Sequence, residues 1–307
     1  MIADLPEGLK FEADELLNSA IMSKVPVVIV EGCDDIPIYE RLALSVGREC
    51  EIYASENILS GKSGCFGVIE HLNTIRNNSD GIDISPYILG VIDRDARCYR
   101  DEIPADGALL VLNLYSIESH FVNSEAVRVL IERTTRATNH LTTLEDAEKL
   151  FDGIKVELEK LYLYSLEAMR KACDRGYAGR FGYSDRIKAI LNSGHEQVLL
   201  AKKDELEAFA QSKGITSDWS GLLAVCKGKW LLEVFIDEFK RQVGLLPGFC
   251  GNGEINKCQS CVRAIYKNCL YKVTANFDSP QLHQMLMQDV DLSSLEYIKA
   301  RFASLVS

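Results

Sequence analysis

The sequence predicts an α/β protein in which a parallel sheet flanked by helices is followed by a mainly α-helical C-terminal domain. Two patterns predict it. Apolar runs that stop abruptly at charge, VPVVIVEGCDD at 25–35 and YILGVIDRDAR at 87–97, read as strands buried on both faces, the usual state of parallel strands. From about residue 124 the apolar spacing changes to 3.6 and stays there. The expected domains are 1–124 and 125–307, and a chain of 307 residues is long enough to bury two cores.

In the first domain the strand at 26–31 leads into a helix from about 35, with Ile38, Tyr39, Leu42 and Val46 at helical spacing. A short strand, EIYAS, follows at 51–55. After a GKSG turn a second helix carries Phe66, Ile69, Leu72 and Ile75 on one face, and strands follow at 87–92 and 108–115. This βαβ series implies right-handed crossovers. In the second domain Thr143 and Asp146 resemble a capping box, with Asp in place of Glu, opening a long helix that buries Phe151, Ile154, Leu158, Leu161 and Met169. Further helices are predicted at 195–213, 229–243, 279–289 and 293–305. The Gly-rich stretch 176–182 is the expected mobile loop.

The net charge of −11 argues against a protein held to nucleic acid by overall charge, so a polyanion must be met by local basic islands or by metal. The first 24 residues hold five acids and no apolar stretch of signal-peptide length, and no run is long enough to span a bilayer. A cytoplasmic protein without membrane contact is the expectation. Ten cysteines in that compartment point away from a disulfide framework and make clustered ones metal candidates.

Carboxylates at the carboxyl ends of parallel strands sit where open α/β sheets bind ligands. Glu31, Asp93 and Asp95 can therefore form an oxygen-rich site for a hard cation such as Mg²⁺ or Mn²⁺. Glu118, in YSIESH after the fourth strand, would project from the same edge and either complete a metal site or orient a water. Asp35 reads equally as a catalytic group or as the N-cap of the following helix, and Asp34 as a solvated acid. His120 need not face the way Glu118 does.

Glu-Gly-x-x-Asp after one strand and Asp-x-Asp after a later one resemble the toprim domain of primases, topoisomerases and related nucleases over roughly residues 25–120. The resemblance implies Glu31 as general acid/base or metal ligand, Asp93 and Asp95 as Mg²⁺ ligands, and phosphodiester cleavage as the chemistry. More narrowly, VEGCDDIPIYE, SGKSG, GVIDRD, LYSIESH and CKGKWLL together resemble the AriB-type effector subunits of the PARIS anti-phage defence system. That resemblance implies an ABC-type ATPase partner, RNA as target with transfer RNA among the candidates, a homodimeric active nuclease, and Lys229 near the active site. The motif departs from the broader pattern after Asp95, where Ala96 and Arg97 bring no further acid and leave the number of metals open.

Other signals are less specific. Gly61-Lys62-Ser63 fails as a P-loop because the glycine five positions earlier is Glu56, leaving Lys62 as a point charge for phosphate or an ordinary solvated lysine. Residues 170–188 hold six Lys/Arg against two Asp, with Tyr177, Phe181 and Tyr183 among glycines. Arg175, Arg180 and Arg186 are thus candidate phosphate contacts and the rings candidate base-stacking surfaces, against the alternative of a merely solvated loop. Cys250, Cys258, Cys261 and Cys269 suit a structural Zn²⁺ whose charge Lys257, Arg263 and Lys267 would offset. The alternative is one helix with cysteines on its buried face, since 258, 261, 265 and 269 fit helical spacing.

The reading is a Mg²⁺-dependent toprim endonuclease acting on RNA. Its alternatives are a DNA-nicking nuclease and a non-catalytic toprim-shaped adaptor of the ATPase. A haloacid-dehalogenase phosphatase also uses Asp-x-Asp after a strand, but the Thr expected two residues later is Arg97. A topoisomerase is disfavoured because nothing in the sequence marks a DNA-gate domain with a nucleophilic tyrosine.

Overall fold

The computed structural model describes residues 11–59, 62–289, 292 and 295–306. Four strands, β1 (Val27–Val30), β2 (Glu51–Ala54), β3 (Ile88–Ile92) and β4 (Leu109–Val111), form one all-parallel sheet in the order β2-β1-β3-β4. Its register pairs Val28 with Ile52 on one side and with Leu89 on the other, and Val91 with Leu110. In chain order the α-helices are α1 (Ala13–Ser23), α2 (Ile36–Ser45), α3 (Gly64–Asn77), α4 (Ala96–Tyr99), α5 (Ser124–Thr134), α6 (Leu144–Glu159) and α7 (Leu161–Cys173). They continue as α8 (Ile187–Asn192), α9 (Glu196–Ala201), α10 (Lys203–Ser212), α11 (Trp219–Val225), α12 (Gly228–Val243), α13 (Leu246–Asn252), α14 (Gln259–Val262), α15 (Ser279–Asp289) and α16 (Glu296–Ala303).

The chain forms two compact units that interleave along the sequence. The first comprises Met1–Arg94, Asp101–Asn113 and Leu292–Ser307; the second comprises Asp95–Arg100 and Leu114–Asp291. The first unit holds the sheet. All of β1 is fully buried, as is nearly all of β3, which is why both read as unbroken aliphatic runs. One core packs Leu16, Leu17 and Ala20 of α1 and Val68, Leu72 and Ile75 of α3 against Val27, Ile29, Ile88 and Ile92. Gly90 in β3 permits the closeness of α3, because a Cβ there would lie 2.7 Å from Val68 Cγ1 and 2.8 Å from Leu72 Cδ1. The last helix belongs to this unit. The Arg301 guanidinium donates to the carbonyls of Ser85 and Gly107 at 2.9 Å each, and the Phe302 ring stacks on Tyr39 of α2 with centroids 6.4 Å apart.

Two local expectations change here. Phe66 is half exposed, and the buried face of α3 runs through Cys65, Val68, Leu72 and Ile75 instead. Helical spacing alone admits either register, and the approach to Gly90 selects the one that puts Val68 inward. Phe66 instead receives the Lys62 ammonium 4.8 Å from its ring centroid. The predicted fourth strand is shorter than 108–115, ending at Val111.

The second unit is helical throughout. Thr143 caps α6 by accepting the Asp146 N–H at 3.1 Å and donating its hydroxyl to the Asp146 carboxylate at 2.8 Å. The long helix predicted from there is two, α6 and α7, meeting at Lys160. Phe151 packs edge-on against Trp219 of α11 and Phe235 of α12, with centroids 5.7 and 6.5 Å away. The helix predicted at 195–213 is likewise split, into α9 and α10. No helix among the described residues is long and apolar enough to cross a membrane.

Substituting Gly90→Ala should lower stability by about 1–3 kcal/mol through overpacking against α3. The measurement is the urea midpoint, with the m-value unchanged; an unaltered midpoint would show that α3 can withdraw from the sheet at little cost.

Candidate active site

The sheet order places its topological switch between β1 and β3. From β1 the chain moves outward to β2, then crosses back to build β3 and β4 on the other side. In such sheets the crevice beyond the carboxyl ends of the two diverging strands is where ligands bind. Glu31 directly follows β1 and Asp93 directly follows β3. The Glu31 carboxylate accepts the Asp93 backbone N–H at 2.8 Å, so the two strand ends are joined through the acid itself. The Glu31 main chain is held as well: its carbonyl accepts the Gly64 N–H at 3.1 Å and the Ser55 hydroxyl at 3.2 Å. Its second carboxylate oxygen faces Gly64 at the start of α3, 3.7 Å from where a Cβ would stand.

Asp35 lies over the same edge. Its carboxylate reaches back to the Gly32 N–H at 3.2 Å and closes the turn after β1, while α2 has no side-chain cap at its first residue. The N-cap reading of Asp35 is thereby replaced: the backbone is already helical at Asp35, so the side chain serves the turn before it. Asp34 is exposed, as expected. Two tyrosines register the local charge. Burial pushes the Tyr39 hydroxyl well above its ordinary range, with Asp35, Asp93, Tyr297 and Glu31 adding to the effect. Burial likewise pushes Tyr297 up to about 12, with Asp93 contributing, and its hydroxyl accepts the Asn113 N–H at 3.1 Å. Tyr297 was not legible in the sequence as part of this edge, because it is more than two hundred residues from Asp93.

Asp95 belongs to the second unit. It caps α4, accepting the Arg97 N–H at 2.8 Å. In that unit Glu118 lies in a short 3₁₀ turn, Ile117–Phe121, and packs on the first residue of α12. A Cβ on Gly228 would stand 2.7 Å from Glu118 Oε2 and 2.0 Å from Ser116 Oγ. A carboxylate at the N-terminus of a sixteen-residue helix is favoured by the helix dipole. Lys227 and Lys229 flank that position. Burial lowers the Lys227 pKa, Lys229 lowers it further, and Glu118 partly restores it. The Lys227 ammonium donates to the Tyr183 carbonyl at 2.7 Å, whereas Lys229 is exposed. Glu118 and Lys229, far apart in sequence, thus share one corner of this unit. His120 turns inward: it is buried, its Nδ1 lies 3.3 Å from the Ser116 carbonyl, and burial lowers its pKa.

The basic loop differs from its sequence reading. Arg175, Arg180 and Arg186 are exposed and open to phosphate, but the rings between them are engaged within the protein. Phe181 is buried, the Tyr177 hydroxyl donates to the fully buried Glu167 at 2.5 Å, and the Tyr183 hydroxyl donates to the Val225 carbonyl at 2.6 Å. Glu167 also accepts the Arg180 N–H at 3.0 Å and has Lys202 Nζ at 3.6 Å. The stretch expected to be mobile is therefore anchored, because a carboxylate without exposure must collect such partners. Lys62 is exposed and paired with Glu70 at 3.2 Å; Gly61 of the same motif lies outside the described residues.

The cysteines give the clearest geometry. Cys250, Cys258, Cys261 and Cys269 are all buried, and their four sulfurs lie within 4.8 Å of one another. Among the described residues this is the one group of three or more His, Cys, Asp or Glu side chains gathered closely enough to hold an ion; Glu31, Asp35 and Asp93 are not gathered to that degree. The single-helix alternative is excluded, because α14 ends at Val262, Ala264 takes a left-handed φ of 57°, and a separate 3₁₀ turn covers Tyr266–Asn268. Cys258 and Cys269 sulfurs are 3.9 Å apart, and two sulfurs sharing a tetrahedral Zn²⁺ at about 2.3 Å stand roughly 3.8 Å apart. Backbone N–H groups point at the sulfurs, from Cys258 to Cys250 at 3.3 Å and from Leu270 to Cys258 at 3.4 Å. Burial pushes Cys250 up and Cys261 up to about 11; at Cys258 burial acts the same way but is outweighed by the Leu270 N–H and neighbouring thiols, giving about 7. The cluster can hold a structural metal such as zinc. The other six cysteines are scattered through the fold.

No family model matches the chain, and no curated protein matches it.

The purified protein should carry about one zinc per chain by elemental analysis, and Cys258→Ser should lose both the metal and much of the stability. Because thiols must ionise to bind, zinc retention against a chelator should weaken as pH falls from 8 to 6. Full stability in a metal-free preparation would refute a structural role.

Proposed function

We propose that this chain is a divalent-metal-dependent phosphodiesterase, an endonuclease of the toprim type, with Glu31 and Asp93 at its reactive centre. The observation that carries the reading is the Glu31–Asp93 hydrogen bond across the switch point of a parallel sheet, where strand ends converge on ligand. The donors there are hard carboxylate oxygens, the set that suits Mg²⁺ or Mn²⁺. Glu31 and Asp93 would hold such an ion and the motif resemblance adds Asp95, although these carboxylates are not gathered into a preset cation site. Such an ion, when bound, supplies neutralisation of phosphate charge and Lewis-acid assistance to the attack.

The chain's own groups do the rest. Glu31 is fixed at both its carbonyl and one carboxylate oxygen, so the acid that would move the proton is pre-positioned and loses little entropy on substrate binding. Asp35 holds the turn that carries Glu31 and is the second acid within reach of substrate. In the second unit Glu118 lies at the start of α12, with Lys227 and Lys229 beside it; Lys229 would be the group to meet developing negative charge on a phosphate, and Glu118 the one to orient a water. Lys62, Arg175, Arg180 and Arg186 serve as phosphate contacts.

The wider context follows from the resemblance to AriB-type effectors: RNA, with transfer RNA among the candidates, as substrate; an ABC-type ATPase as the regulating partner; a homodimer as active form; and the cytoplasm as its place of action in anti-phage defence. The test is incubation of the protein, with the neighbouring ATPase supplied, with total cellular RNA and with plasmid DNA, each with Mg²⁺ or EDTA. Discrete RNA cleavage that needs the metal and falls at least about 10²-fold in Glu31→Gln is the expected result. Plasmid nicking under the same conditions would reassign the substrate to DNA, and no cleavage of either would overturn the enzyme in favour of an adaptor.

A further inference from the structure

The thiol cluster organises a surface that its metal-binding role does not require. All seven residues from Val262 to Asn268 are exposed, among them Val262 at 68%, Tyr266 at 56% and Ile265 at 41%. Three large apolar side chains on one exposed turn are a feature that needs an explanation. The left-handed residue at Ala264 ends α14, and the turn beyond it carries Ile265 and Tyr266. The Tyr266 ring is held against the chain backbone, with two ring carbons 3.6 Å from where a Cβ on Gly251 would stand, so the ring is propped while more than half of the residue stays open. The same segment carries exposed Lys257, Arg263 and Lys267, with no Asp or Glu between residues 255 and 277 and exposed Glu254 just before it. In a chain of net charge −11 this is a local reversal of sign.

We infer that the turn Val262–Lys267 on the cysteine cluster is a binding platform for single-stranded nucleic acid. Tyr266 offers a propped aromatic face for an unpaired base, Val262 and Ile265 offer apolar flanks, and Arg263, Lys267 and Lys257 meet the phosphates on either side. An excess of positive charge along a segment with an aromatic anchor suits a polyanion with exposed bases, whereas a duplex hides those bases. A zinc bound by the four thiols would supply rigidity to this turn. The platform is independent of whether Glu31 cleaves anything.

The test is fluorescence anisotropy of the full-length, zinc-loaded protein with a labelled, unstructured 20-nucleotide RNA, without added Mg²⁺ so that no cleavage intervenes. Tyr266→Ala should weaken binding about tenfold and Tyr266→Phe should restore it. Arg263→Gln with Lys267→Gln should reduce the slope of log K against log salt by about 1.4, the contribution of two phosphate contacts on a single strand. Ultraviolet cross-linking of the wild-type protein should put adducts on the peptide containing Tyr266, a readout that needs no variant to fold. Cross-links confined to other segments, or zinc-retaining variants that bind like wild type, would overturn the platform. So would a Tyr266→Ala variant that loses self-association but not RNA binding, which would make the turn a protein interface.

Discussion

Burial of β1 and β3 on both faces is the constraint from which the first unit follows. A strand with no solvent face can carry no charge along its length, so charged groups appear where it ends. Because the two strands are neighbours and parallel, those ends lie side by side, and because the chain diverges between them, no crossover connection covers the gap. Glu31 and Asp93 are where they are for this reason. The hydrogen bond between them converts a general property of such sheets into a specific arrangement of one acid against one backbone amide.

Close packing enforces that arrangement from below. Gly90 lets α3 lie directly on β3, which fixes the start of α3 and with it the Gly64 N–H that holds the Glu31 carbonyl. Tyr39 comes from the other side on α2, stacked on Phe302. Two tyrosines, Tyr39 and Tyr297, thus lie close to this acidic edge, and burial raises the pKa of both hydroxyls.

The second unit meets its polar groups by a different means. Glu167 has no exposure and gathers Tyr177 and Arg180 from a loop rich in glycine and Lys202 from between α9 and α10. Composition suggested a free loop with rings to spare; a single buried carboxylate turned it into an anchored one, leaving the arginines outside. At the cysteine cluster the relation is inverted, with thiols inside and an aromatic residue on the surface.

What the sequence determined by itself is whatever local periodicity encodes. Unbroken aliphatic runs ending in Glu31 and Asp93 defined the parallel strands, and Thr143 with Asp146 marked the start of α6, because strand burial and helix capping act over a few residues. Four cysteines in twenty residues suggested a metal, but only the break at Ala264 decided between a cluster and a helix face. The register of α3, the inward turn of His120, the split at Lys160 and the return of α16 to the first unit were decided by tertiary packing. The same holds for Tyr297 beside Asp93 and for Glu118 on Gly228: side chains more than a hundred residues apart meet only when a fold brings them together, and no local spacing records that encounter.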